Sequence, residues 1–198
     1  EELGFASDIQ DDTVAVDMQQ RDRRTRFDAD NDMNLKDGNY DRVQGMLKEA
    51  LKRNRDDALR IGQLYQLLVA RNDTTELYHF HPRILGWLAS RSDGEGIASL
   101  LGMLEATEPG FKLDDPELAV RCARCLYQHG QYKPAIRLLQ DFHKRFPESD
   151  ELAPAYLLVA QSLANGLNQW EKATAFLTFI QKRCEKHPLH EQIPVFLA

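Results

Sequence analysis

Three residues could hold a metal from a single helix. Cys122, Cys125 and His129 are spaced by three and four, so on a helix they share one face, and two thiolates with an imidazole are zinc ligands. Cys184 and His187 offer a similar pair, and two facing pairs would complete a tetrahedron. Zinc motifs with paired cysteines usually sit on knuckle turns, however, and a free cysteine packs as a small hydrophobe. The residue types favour buried thiols over a zinc-binding enzyme or sensor, and no metal or cofactor is assigned. His79 and His81 are too close together to share a helix face, and that pair, like His187 and His190, borders a proline. They read as surface or capping histidines. Asp28, Asp30 and Asp32 alternate as in a calcium loop, but Met33 stands where the turn needs Gly and Asn39 where the loop needs Glu. That stretch reads as a solvated charged segment. The chain contains no Gly-x-Ser-x-Gly elbow, no Gly-rich phosphate loop and no His-Glu-x-x-His. It reads as non-enzymatic.

The elements that would position such residues are clearest between Asp115 and Pro147. Asp115 can cap a helix and Pro116 fits its first turn, where a missing N–H costs nothing. Ala119, Cys122, Ala123 and Leu126 then mark one face at helical spacing. Gly130 stops that helix by allowing a left-handed backbone. Ala135, Ile136, Leu139, Phe142 and Phe146 repeat the pattern on a second helix that Pro147 ends.

This two-helix unit resembles a tetratricopeptide repeat. The resemblance rests on Ala119, Cys122, Ala123, Leu126, Ala135, Leu139 and Pro147, with Gly130-x-Tyr132-x-x-Ala135 as its core. No Trp stands at 119, and Ala replaces Gly at 123. A second copy follows 38 residues on, where Trp170 matches Tyr132 and Ala173 matches Ala135. A degenerate third copy lies upstream at Gly38-Asn39-Tyr40. The resemblance implies an all-α, right-handed superhelix of antiparallel helix pairs, with best-matched repeats at 115–147 and 150–188. Small residues at 123 and 135 would let paired helices approach, and Tyr132 would wedge between units. It also implies a protein or peptide ligand in a concave groove lined by the first helix of each pair. Val120, Arg124, Tyr127 and Gln128 fall on that wall in one unit, and Leu157, Gln161, Ala164 and Asn165 in the next. Arg124 can pair with a carboxylate, and the amides can bond a peptide backbone.

Composition bounds the rest. The 198 residues carry a net charge of −6, of which residues 1–36, with ten acids and five bases, hold −5. Residues 37–198 are almost neutral, so no basic stripe exists for phosphates and no nucleic-acid partner is expected. Residues 1–36 read as an acidic arm with a first helix, and 37–198 as the repeat domain. Three cysteines make no disulfide framework and point toward a reducing compartment such as the cytoplasm. No run of about 18 apolar residues is present to span a membrane. The missing initiator Met and the apolar end, Ile193 to Ala198, suggest a piece of a longer, membrane-anchored protein, or a tail that pairs copies into a homo-oligomer.

Along the chain the spacing predicts helices near 13–28, at 40–53 and from Asp56 or Asp57 to about Asn72. Pro82 predicts either a break between a short helix at 77–80 and another at 84–89, or a single kinked helix through both. Further helices are expected at 97–104, at 152–163 with Asp150 as cap, and at 170–186. No strand is expected.

Overall fold

A computed structural model describes residues 26–183. The start of the N-terminal arm, most of the 13–28 helix, Cys184, His187, His190 and the apolar end lie outside the described residues. The chain divides into two compact units, residues 1–67 and 68–198. Every regular element among the described residues is helical.

In the first unit, helix α1 covers residues 26–36 and α2 covers Tyr40–Arg53. Gly38 between them has φ of 74°. Its N–H bonds the Leu35 carbonyl at 3.2 Å, and that of Asn39 bonds the Asn34 carbonyl at 2.8 Å. This paired pattern closes a helix when one residue takes the left-handed basin. On α2, Val43, Leu47 and Leu51 are buried at the four-residue spacing that predicts them. Asp28, a candidate calcium ligand, stands on α1 and not in a loop. It pairs with Arg60, a buried side chain whose guanidinium lies 4.1 Å from the centre of the Phe27 ring. Helix α3, Ala58–Ala70, starts where Asp57 accepts the N–H of Arg60 at 3.2 Å.

The second unit is a succession of helix hairpins. Helices α4 (Thr74–Ser90) and α5 (Gly94–Thr107) form the first. The second pairs α6 (Pro116–Gln128) with α7 (Tyr132–Leu138) and α8 (Phe142–Arg145). The third pairs α9 (Leu152–Gln161), extended by a π turn at Ser162–Gly166, with α10 (Trp170–Arg183). Their turns carry left-handed residues at Ser92, Gly130 and Asn168, 38 residues apart. Asp93 caps α5 by accepting the Gly96 N–H at 2.8 Å, and Asp115 caps α6 by accepting that of Leu118 at 3.0 Å. Asp150 does not cap α9: Glu151 holds the cap position and its N–H bonds the Ser149 hydroxyl.

Ala123 and Ala135 are both buried, as close helix pairing requires. Successive hairpins then interlock large against small. The His129 ring fills the space a side chain on Gly94 would need, within 2.7 Å of that Cβ position. At the next junction the sizes reverse, and the Tyr132 ring occupies the Cβ position of Gly166. Tyr132 thus wedges between hairpins.

Two helices bear on the expectations. Of the two alternatives at Pro82, α4 takes the single helix and runs past it. The Tyr78 carbonyl that Pro82 cannot serve accepts His81 Nδ1–H at 2.5 Å instead. Conversely, the helix expected to run from 132 to 146 breaks at Asp141, whose φ is +54°. Cations reach the carbonyls at the break: Lys112 donates to Arg137 O at 2.9 Å and Arg145 to Leu138 O at 3.0 Å. Arg145 also donates to Leu113 O, in the connection before α6, at 2.8 Å.

Candidate functional site

Helix α6 packs against α4, α5, α7 and α9, so little of it is free. Val120 is 2 % exposed and part of the core, so it offers a ligand no surface. Ala164 is buried as well. Arg124, Gln128 and Asn165 are exposed, while Tyr127, Leu157 and Gln161 are half-buried. The two expected walls meet through one bond: Asn165 Nδ2 donates to the Tyr127 hydroxyl at 3.1 Å. These residues are 38 apart and hold equivalent places in their hairpins. Tyr127 is further fixed by an edge-on contact with Tyr132, at 5.6 Å between ring centres. Tyr127, Asn165, Tyr132 and Gly166 therefore form one contact chain across the junction.

The thiols belong to the core. Burial pushes Cys122 up to about 12, and it raises Cys125 too, with Asp93 adding to the effect. Burial thus holds both thiols in the protonated form at neutral pH, which leaves neither an activated nucleophile. His129 Nδ1–H donates to the Cys125 carbonyl at 2.9 Å, and the ring is held against Gly94. Among the described residues no group of three or more His, Cys, Asp or Glu side chains is placed to hold a metal ion.

The sequence reading did not find an aromatic recess between the second and third hairpins. Ile136, Leu139, Val159 and Phe176 line one part of it, about 220 Å³ in volume. His143, Tyr156 and Phe179 line an adjoining, more open part of about 210 Å³. Tyr156 bonds both the backbone N–H and the Nδ1 of His143, and burial raises its hydroxyl above the ordinary tyrosine range. The Phe179 ring meets Tyr156 edge-on at 5.3 Å. No local pattern marks this recess, because its lining comes from α7, α8, α9 and α10. A smaller recess of about 90 Å³ lies between α5 and α7, beside the Arg137–Glu105 ion pair at 2.7 Å.

The fold is all-α, built from antiparallel helix hairpins with an amide, guanidinium and tyrosine surface on α6 and α9. No family model matches the chain, and no curated protein matches it. Among solved structures there is a likeness to one described as "Crystal structure of MamA protein". It has 12 % identity and a TM-score of 0.42, over 82 % of this chain and 92 % of that one. A likeness at that level carries no inference about this chain. No described helix is long and apolar enough to cross a membrane.

Proposed function

We propose that the chain is a non-enzymatic interaction scaffold of the tetratricopeptide-repeat kind, binding an extended protein segment along the exposed side of α6 and α9. The observation that carries this reading is the repeated hairpin: left-handed turns at a 38-residue period, interlocked at each junction and holding Tyr127 against Asn165. A stack braced in this way presents fixed side chains at low entropic cost, which suits binding a flexible guest. Arg124, Tyr127, Gln128, Leu157, Gln161 and Asn165 form the contact surface. Arg124 takes a carboxylate of the guest, and Gln128 and Gln161 its backbone. Tyr127 adds a flat apolar contact. The test is a peptide array probed with the wild type and with an Arg124→Glu, Tyr127→Ala double variant. Acidic extended peptides should bind the wild type and lose at least about tenfold in the variant, the scale of one lost charge-assisted contact. Equal retention of every peptide would refute the assignment.

A further inference from the structure

The aromatic recess lies where one hairpin departs from the repeat. Asp141 holds a φ of +54° in the middle of its hairpin's second arm, between α7 and α8. The residues 38 before and 38 after it, Met103 and Phe179, sit inside α5 and α10, which run unbroken. A left-handed residue other than glycine costs energy, and such outliers cluster at ligand sites. The recesses on the two sides of this arm differ accordingly. Between unbroken α5 and α7 the space is about 90 Å³. Beside the break, where α7 and α8 meet α9 and α10, the two adjoining parts are about 220 and about 210 Å³.

Size and lining set the class of occupant. An apolar cavity of ~150 Å³ is enough to hold benzene, and each part exceeds it. The Tyr156 ring stands 5.3 Å from that of Phe179 and 5.4 Å from that of Phe176, so an aromatic guest would gain edge-on and tilted contacts. The polar groups of the lining are spent on one another. The Tyr156 hydroxyl bonds the N–H and Nδ1 of His143, and Asp141 pairs with Lys144 at 2.8 Å. Among the described residues no lysine or arginine lines either part, so an entering carboxylate would lose water and gain no cation. A mostly apolar cavity with a few fixed polar groups is the usual form of a small-molecule site.

We propose that this recess binds a small uncharged aromatic molecule of one or two fused rings, at a site separate from the exposed side of α6 and α9.

Isothermal titration of the full chain with toluene, indole and benzoate tests it. Toluene and indole should bind with Kd on the order of 0.1–1 mM, and benzoate at least about tenfold more weakly. Ala175 lines the more open part and is itself exposed, so Ala175→Trp fills the space without entering the core. It should weaken toluene binding at least about tenfold. Phe179→Ala, which removes one ring, should weaken it about threefold to tenfold. Far-UV circular dichroism should be unchanged in both. The Arg124→Glu, Tyr127→Ala variant should bind toluene as the wild type does, whichever way the peptide assignment falls. A wild type that takes up neither toluene nor indole, equal affinity for benzoate, or undiminished binding in both recess variants overturns the proposal. So does a recess that refuses toluene but takes phenylalanine-bearing peptides, which would assign it to a partner's side chain.

Discussion

Cys122 shows what a residue's type leaves undetermined. Its spacing with Cys125 and His129 suits zinc, but side-chain chemistry depends on protonation, and protonation depends on burial. In the core its thiol is raised from 9.0 to about 12. A group raised on folding adds nothing to the pH dependence while both states hold the proton. Stability should therefore be flat with respect to this group below about pH 9, and fall from there toward pH 12 as only the unfolded chain releases it. The loss approaches ~1.4 kcal/mol per pH unit at most. Urea titrations from pH 8 to 10.5 should show a steeper decline for the wild type than for Cys122→Ala. Identical slopes would mean that the thiol is not held protonated by its surroundings. Val120 makes the same point for the proposed binding surface: its position on α6 was legible, and its burial depended on which neighbours surround α6.

At the scale of elements, the stack depends on which side of each junction carries the bulk. Gly94 receives His129, and Gly166 receives Tyr132. A methyl on Gly166 would enter the Tyr132 ring, and overpacking of this sort costs about 1–3 kcal/mol. Gly166→Ala should lower stability to denaturant by that amount. Adding Tyr132→Ala should make the two changes less than additive, because the clash disappears. Full additivity would show that ring and glycine do not share the space. The upstream hairpin α4–α5 has the same form, but its turn reads Ser92-Asp93-Gly94 and lacks the Gly-x-Tyr signature. Only backbone conformation reveals it as a copy, since serine takes the left-handed position that glycine holds at 130.

At the scale of the second unit, α6 is the hub, touching α4, α5, α7 and α9. Its buried positions, Leu118, Ala119, Val120, Cys122, Ala123, Cys125 and Leu126, cover most of its circumference. Amides in the middle of α6 should exchange with solvent most slowly of any in residues 68–183, near the limit set by global unfolding. Those of α8, only four residues long, should exchange fastest among the helices. Hydrogen exchange followed by mass spectrometry tests this order, and faster exchange in α6 than in α10 would contradict it.

The sequence by itself determined what acts over a few residues: the helical faces, the Asp115–Pro116 start, the stop at Gly130, and the small side chains at 123 and 135. Each depends on one turn of backbone and its immediate neighbours. Tertiary structure decided what needs residues far apart in the chain to meet. Where α7 ends at Leu138, Lys112 and Arg145, distant in the chain or beyond the break, reach the carbonyls of Arg137 and Leu138. The aromatic recess and the Tyr127–Asn165 bond came from side chains of neighbouring hairpins meeting. Such contacts leave no periodic trace in a sequence, because their energy depends on distance in space rather than along the chain.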